Sequence, residues 1–133
     1  MLKLEDVYKT FNAGTVNEKV ALRGLNLSLK EGEFVTVIGG NGAGKSTMLN
    51  SVAGVFGIDS GRIMIGGIDV TTLPEHKRAK YIGRVFQDPM LGTAATMQIE
   101  ENLALAARRG MRRTLRPGIT KADREFYREQ LKI

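Results

Sequence analysis

The sequence has no cysteine, a single histidine and no long uninterrupted apolar run. Without cysteine, neither a disulfide framework nor a thiolate metal site is available, which suits a reducing compartment. The N-terminal residues lack the apolar core of a secretory signal peptide, and no later stretch reaches the roughly 20 apolar residues that cross a bilayer. These absences predict a soluble, cytoplasmic chain.

The length bounds the number of domains, and the position of the charges shows which part of the chain is basic. The 133 residues, 42% of them hydrophobic, suffice for one domain or a large part of one. Residues 1–107 carry 11 Lys/Arg and 11 Asp/Glu, whereas residues 108–133 carry 9 and 3, so the net charge of +6 equals 9 − 3. The basic excess therefore lies in the last 26 residues and says nothing about the body of the protein.

A glycine-rich segment, IGGNGAGKST, occupies residues 38–47 and fits the pattern G-x-x-x-x-G-K-[ST]. The apolar run from Phe34 to Ile38 predicts a buried strand before it. Apolar positions from Met48 onward recur at helical spacing and end at Gly54, which predicts a helix after it. Strand, loop and helix form the context that a phosphate-binding loop requires.

Such a loop binds phosphate because glycines let successive backbone N–H groups turn towards the anion, with the helix N-terminus adding partial positive charge. Lys45 would neutralise the outer phosphates, and the Ser46 hydroxyl would coordinate Mg²⁺. The alternative is an accidental glycine-rich turn. The predicted strand and helix on either side favour nucleotide binding.

Other segments outline the organisation of the chain. Alternating leucines in LNLSLK predict a strand, and GRIMIGGIDV predicts a hairpin that turns at Gly66-Gly67. LPEHKRAK predicts a short helix beginning at its proline, and YIGRVF predicts a further strand. The small residues of QDPMLGTAAT predict a loop between two subdomains, which we place at residues 1–90 and 91–133.

Two helices are predicted in the C-terminal part. One carries Ile99, Leu103 and Ala106 along one stripe, with acidic residues early and arginines late, an order that complements the helix dipole. The second begins at Thr120, which forms a capping box with Asp123, and continues towards the C-terminus.

Several of these segments together resemble the ATP-binding cassette (ABC) transporter ATPase family. They are the loop GGNGAGKST, the approach LNLSLKEGEFVTVIG, the strand start Gly61-Arg62-Ile63 and the glutamine loop GRVFQDP. The resemblance covers essentially the whole chain. It implies an α/β fold with a partial P-loop NTPase core, an antiparallel β subdomain and the start of an α-helical subdomain.

The resemblance also implies a nucleotide site with ATP and Mg²⁺ as cofactors. Phe11 matches the aromatic that stacks on adenine, with an ordinary core phenylalanine as the alternative. Gln87 matches the glutamine that reaches magnesium and the attacking water, so Lys45 and Gln87 are the expected catalytic residues and Ser46 and Gln87 the expected metal ligands. The predicted nucleotide-binding residues are Phe11, Gly39, Asn41, Gly42, Ala43, Gly44, Lys45, Ser46 and Thr47.

Other family features find no match in the sequence. The signature LSGGQ is absent, and neither Asp69 nor Asp88 ends an apolar strand as the family's magnesium-binding carboxylate does. We therefore expect the chain to end inside the helical subdomain, to bind nucleotide weakly and to show negligible turnover. His76 matches no family role and is predicted to lie exposed on a short polar helix.

The resemblance implies transmembrane permease subunits and a second ATPase subunit as partners, a solute-binding protein indirectly, and a location at the inner face of the cell membrane. Residues 87–110 resemble cassettes of bacterial amino-acid uptake systems of the tryptophan or tyrosine type. Two alternatives remain open, a soluble cassette acting on nucleic acid and a docking module for a membrane partner. The nucleic-acid alternative depends on an arginine cluster at Arg108, Arg109, Arg112, Arg113 and Arg116, which suits a solvated or membrane-proximal loop better.

Overall fold

The computed structural model describes residues 1–112, 114–115 and 117–132. The chain forms two compact units, Met1–Ile82 and Gly83–Ile133, and each is described by itself. Within the described ranges, every helix is too short or too polar to cross a membrane.

The first unit contains a four-stranded antiparallel sheet. Its strands are β1 (Leu2–Phe11), β2 (Lys19–Leu29), β3 (Ser60–Ile65) and β4 (Ile68–Asp69), in the order β2-β1-β3-β4. The leucine alternation predicted only the end of β2, and the hairpin turning at Gly66-Gly67 is confirmed as β3–β4. No sequence pattern described above predicts β1, although this strand lies between β2 and β3 in the sheet.

Helix α1 (Lys45–Ala53) follows the glycine-rich loop, as predicted. It ends where Gly54 adopts a left-handed φ of 83° and donates its amide to the Asn50 carbonyl, a conformation that favours glycine. Met48 of α1 packs onto the apolar face of the sheet. The buried core consists of Leu4, Val7, Leu22, Met48, Ile63 and Val70.

Two predicted strands are wrong. Residues 34–38 and the strand expected in residues 81–86 have no regular secondary structure, and Phe34, Ile38 and Val85 are 93%, 90% and 97% exposed. A strand forms only where neighbouring strands pair with its backbone groups, and no described segment pairs with either of these in a sheet. An apolar run indicates a preference for burial but does not supply the partner strands.

The pairing of β1 with β2 is interrupted by irregularities that set which residues face each other at its far end. Asp6 has a φ of 45°, and its amide donates to the side-chain oxygen of Asn26 at 3.0 Å instead of to the strand ladder. A further shift lies between Lys9 and Thr10. Beyond these bulges, Phe11 pairs directly with Lys19.

The second short helix of the first unit, α2 (Glu75–Arg78), begins after Pro74, as predicted, and His76 on it is exposed. The sequence predicts a short polar helix here but does not single out Arg78, which is 2% exposed and contacts the end of α1.

The second unit contains a 3-10 turn at Pro89–Gly92 and two helices, α3 (Ile99–Ala107) and α4 (Lys121–Gln130). Both helices confirm the predictions from the sequence, and α4 has the predicted capping box, in which the Thr120 amide donates to Asp123 at 2.8 Å. The two helices contact each other, and each has one buried residue, Ala104 in α3 and Tyr127 in α4. Two arginines of the predicted cluster, Arg113 and Arg116, lie outside the described residues.

Candidate functional site

The glycine-rich loop enters α1 through two left-handed residues. Gly42 has a φ of 83° and Gly44, the N-cap of the helix, has a φ of 84°. Residues with a Cβ atom rarely adopt this conformation, so the loop geometry depends on glycine at these positions. The amides of the first helical turn have no acceptor within the helix and remain available for an external anion.

Gly44 also joins the loop to the sheet. A Cβ atom at this position would lie 2.6 Å from the Ala21 carbonyl oxygen and 3.3 Å from a methyl of Leu22. Because β2 approaches this closely, the start of α1 is held against the strand that carries Ala21. The loop is therefore supported on one side by the sheet and open on the other.

The Lys45 ammonium lies over the loop that precedes it. It donates hydrogen bonds to the carbonyls of Gly39 and of Gly40, the latter at 2.7 Å. The side chain thus folds back across the mouth of the loop instead of pointing into the core. A phosphate at this position would replace these neutral carbonyl acceptors with an anionic acceptor for the lysine.

The loop borders an open cleft of about 330 Å³, a size at the lower end for a small-molecule site. The structure brings all but two of the predicted site residues to this cleft. Gly39 contributes the carbonyl that holds Lys45, and Gln87 lies in the second unit. The cleft is lined by Phe11, Lys19, Ala21, Asn41, Gly42, Ala43, Gly44, Lys45, Ser46 and Thr47.

Phe11 is half-buried at the end of β1 and does not belong to the hydrophobic core. Its ring meets Phe56 edge-on, with centroids 5.2 Å apart and planes at 85°. The Lys9 ammonium lies 5.4 Å from the Phe11 centroid and forms an ion pair with Asp59 at 3.3 Å. These contacts hold the ring at the rim of the cleft and outside the hydrophobic core.

Asp59 also fixes the backbone beside this ring. Its carboxylate accepts a hydrogen bond from the Thr10 amide at 2.6 Å. This bond, together with the hydrogen bond and charge of Lys9, holds the pKa of Asp59 below its ordinary value despite partial desolvation. The segment that carries Phe11 is thus joined to the loop that follows α1.

Gln87 lies in the second unit and is exposed. Of its two neighbours in sequence, Phe86 is half-buried and Asp88 is exposed. Asp88 accepts the Met90 amide at 2.9 Å and caps the 3-10 turn, so this carboxylate has a structural partner. The Arg84 guanidinium lies 4.6 Å from the Phe86 ring. The predicted role of Gln87 stays a prediction.

The residues at the cleft fit a metal only in part. Within the described ranges, no three His, Cys, Asp or Glu side chains cluster in a way that could hold a metal ion. The Ser46 and Thr47 hydroxyls and the Asn41 amide supply the side-chain oxygens at the cleft. A hard cation such as Mg²⁺ fits this donor set when phosphate oxygens and water complete its shell.

The opposite end of α1 is closed by Arg78. Its guanidinium donates to the carbonyls of Ser51 at 2.7 Å and Val52 at 3.1 Å in the last turn of the helix, and it also contacts Leu73 and Thr71 carbonyls. Burial lowers the pKa of Arg78, but its ordinary value is so high that the side chain stays charged. The role of Arg78 could not be predicted from the sequence, because nothing in PEHKRAK separates a buried arginine from its exposed neighbours.

Comparison with known proteins defines the class of protein. Residues 22–133 match the family model described as ABC transporter, which is most of the chain. The chain therefore belongs to the ABC transporter family and matches part of its ATPase domain. Members of this family bind ATP and hydrolyse it.

Among curated proteins, the chain is similar to ATP-binding proteins of named transport systems. The chain is 40% identical over 110 residues to a tyrosine transport ATP-binding protein of Clostridioides difficile (strain R20291), covering 83% of this chain and 44% of that protein. It is 37% identical over 125 residues to the spermidine/putrescine import ATP-binding protein PotA of Hahella chejuensis (strain KCTC 2396), covering 94% and 31%. The chain thus spans less than half the length of these curated relatives.

Solved structures agree with the fold. The ATP-binding cassette MJ0796, a dimer in a post-hydrolysis state with ADP and Pi, superposes with a TM-score of 0.77 at 32% identity. The match covers 99% of this chain and 56% of that one. The predicted fold class, an α/β P-loop NTPase core with an antiparallel sheet, is confirmed.

Proposed function

We propose that this chain binds the polyphosphate of ATP in the cleft at the N-terminal end of α1. The observation that carries the proposal is that Lys45, the loop from Asn41 to Thr47 and the ring of Phe11 line one open cleft. Loop amides and the helix dipole favour an anion there, and an aromatic at the rim favours a planar base.

The predicted residues take distinct roles in this proposal. The backbone from Gly42 to Thr47 surrounds the phosphates, Lys45 contacts the outer phosphates, and Phe11 stacks on adenine. The Ser46 hydroxyl supplies one ligand to Mg²⁺, which when bound offsets the charge of the phosphates. The role of Gln87 as a further ligand depends on the family resemblance alone.

We propose further that this chain binds nucleotide weakly and turns it over negligibly. Hydrolysis in P-loop proteins needs carboxylates that hold the metal and orient water. Among the described residues that line the cleft, none is acidic. The boundary between a nucleotide-binding part at residues 1–90 and a helical part at residues 91–133 belongs to the same proposal.

For the whole protein, we propose an ATP-binding subunit that drives solute transport and acts with transmembrane permease subunits at the inner face of the membrane. The dimeric cassette among its structural neighbours supports pairing with a second ATPase subunit. The tyrosine transport relative supports an amino acid as the solute and, with it, an indirect solute-binding partner. The solute class depends on that likeness alone.

Calorimetry and an ATPase assay on the purified chain test this proposal. We expect weak heat of binding with Mg-ATP and phosphate release no faster than that of the Lys45→Ala variant. No binding of Mg-ATP by a folded chain would overturn the proposal as a whole. Phosphate release that disappears in the Lys45→Ala variant would overturn only the statement that turnover is negligible.

A further inference from the structure

A second lysine borders the same cleft, although no motif indicates it. Lys19, the first residue of β2, lines the cleft together with Lys45. The Lys19 ammonium lies 3.6 Å from the position that a Cβ atom on Gly42 would occupy, so it sits against the glycine-rich loop. The cleft thus has two cationic side chains and no acidic one among its described lining residues.

The strand register explains this position. Phe11 and Lys19 are direct partners in the β1–β2 pair, so Lys19 lies beside the aromatic ring at the rim. Ala21, two residues further along β2, also lines the cleft, and its carbonyl lies against Gly44. Lys19 and Ala21 thus both belong to the side of the cleft that β2 forms, facing the glycine-rich loop.

Other lysines on this sheet are paired with carboxylates. Lys3 pairs with Glu5, and Lys9 pairs with Asp59. Within the residues that the structure describes, no carboxylate lies within ion-pair distance of the Lys19 ammonium. The nearest acidic residue in sequence, Glu18, accepts the Gly14 amide at 2.7 Å and is engaged in its own turn. The Lys19 charge therefore faces an uncompensated, electropositive cleft.

We propose that Lys19 contacts the phosphate of the nucleotide that adjoins the ribose. This inference depends on the proposed nucleotide site. A nucleotide with its base on Phe11 and its outer phosphates at Lys45 places its innermost phosphate between them, beside Lys19 and Gly42. Lys45 then recognises charge at the outer end of the polyphosphate, and Lys19 recognises the phosphate that AMP, ADP and ATP share.

The test compares the affinities of the wild-type chain and three variants for ATP, ADP and AMP, measured by calorimetry at low salt. The variants are Lys19→Ala, the charge-preserving Lys19→Arg and the control Lys30→Ala, which removes the same charge from an exposed residue outside the cleft. Circular dichroism confirms that each variant is folded.

Lys19→Ala is expected to weaken ATP, ADP and AMP binding by a similar factor of about five, typical of one partly exposed charge pair. Lys19→Arg should stay within about twofold of wild type, and raising the salt concentration should reduce the difference between wild type and Lys19→Ala. Lys30→Ala should leave all three affinities unchanged.

Three results would overturn the inference. Equal affinities of Lys19→Ala and Lys30→Ala for the nucleotides would show that Lys19 does not contact the ligand. If the wild-type chain still binds ATP in that case, the proposed nucleotide site itself is not contradicted. Weaker binding of ATP with unchanged binding of AMP would place Lys19 at the outer phosphates. No binding of any nucleotide by the folded wild-type chain would overturn both this inference and the proposed site.

Discussion

The two ends of α1 differ in the way that their unpaired backbone groups find partners. At the C-terminal end, the guanidinium of Arg78 is buried among carbonyls and closes the helix with groups from the same chain. At the N-terminal end, the first-turn amides, Lys45 and Lys19 face an open cleft. One end is closed by groups of the fold, whereas the other is open to the cleft in which we propose that the nucleotide binds.

This difference indicates that the two ends of α1 have different roles. At the closed end, Arg78 joins α1 to the turn that follows β4, and at the other end Gly44 keeps the start of α1 against β2. The amides at the open end are therefore held in place before any anion arrives, which lowers the cost of binding. Changes at the closed end should affect stability, and changes at the open end should affect affinity.

The largest expected effect is at the closed end. Arg78→Met should lower the free energy of unfolding by about 3–5 kcal/mol, because several buried carbonyls lose their partner at once. Chemical denaturation monitored by circular dichroism measures this. The control Lys77→Met changes an exposed neighbour on α2 and should stay within about 0.5 kcal/mol of wild type. A similar loss of unfolding free energy in both variants would contradict the claim that Arg78 stabilises the C-terminal end of α1.

At the open end, Lys45→Ala should reduce affinity for Mg-ATP about 100-fold, roughly 3 kcal/mol, because one charged partner of the phosphates is lost. Its free energy of unfolding should change by less than about 1 kcal/mol, since the two carbonyls that Lys45 contacts are accessible to water. Calorimetry and denaturation on the same sample measure both quantities. A loss of stability in Lys45→Ala without a loss of affinity for Mg-ATP would contradict the claim that the N-terminal end of α1 serves binding.

The two glycines that flank the helix allow a matched comparison. Gly44→Ala and Gly54→Ala each place a Cβ atom in a left-handed conformation, which costs about 1–2 kcal/mol. At Gly44 the new methyl also meets the Ala21 carbonyl, whereas at Gly54 it meets the Arg78 side chain. We expect both variants to be less stable than wild type. When affinity is measured for the folded fraction, only Gly44→Ala should bind nucleotide more weakly. Equal affinities of the two folded variants would contradict the comparison.

The smallest expected effect is at Ser51, inside the closed half of α1. Its hydroxyl is fully buried and has no hydrogen-bond partner among the described residues. Ser51→Ala should therefore leave the free energy of unfolding unchanged within about 0.5 kcal/mol or raise it slightly, because an unsatisfied polar group is removed. Thermal denaturation measures this. A loss above about 1 kcal/mol would indicate a partner for the hydroxyl.

The sequence predicts local features of this protein well. The loop, α1 with its stop at Gly54, the hairpin at Gly66-Gly67 and the cap at Thr120 each depend on a few neighbouring residues with specific backbone preferences. These are short-range signals, and the structure agrees with them. The glycine-rich loop in turn identifies most of the cleft lining.

Features that depend on distant partners could not be predicted in the same way. The apolar run at residues 34–38 reads as a strand, yet strand pairing requires neighbours that lie elsewhere in sequence. Lys19 faces Phe11 only because three irregularities shift the β1–β2 register, and Arg78 is buried only because α1 ends beside it. Each of these positions is set by tertiary contacts that the local sequence does not record.

The most direct test of the account follows the backbone amides of α1 by two-dimensional ¹H–¹⁵N NMR while Mg-ATP is added to the chain. We predict chemical-shift changes that saturate at Gly42, Gly44, Lys45 and Ser46, with little change at Ser51, Val52 and Gly54. Unchanged amides from Gly42 to Ser46 at saturating Mg-ATP, or changes confined to the Arg78 end of the helix, would contradict the claim that the open end of α1 is the nucleotide site.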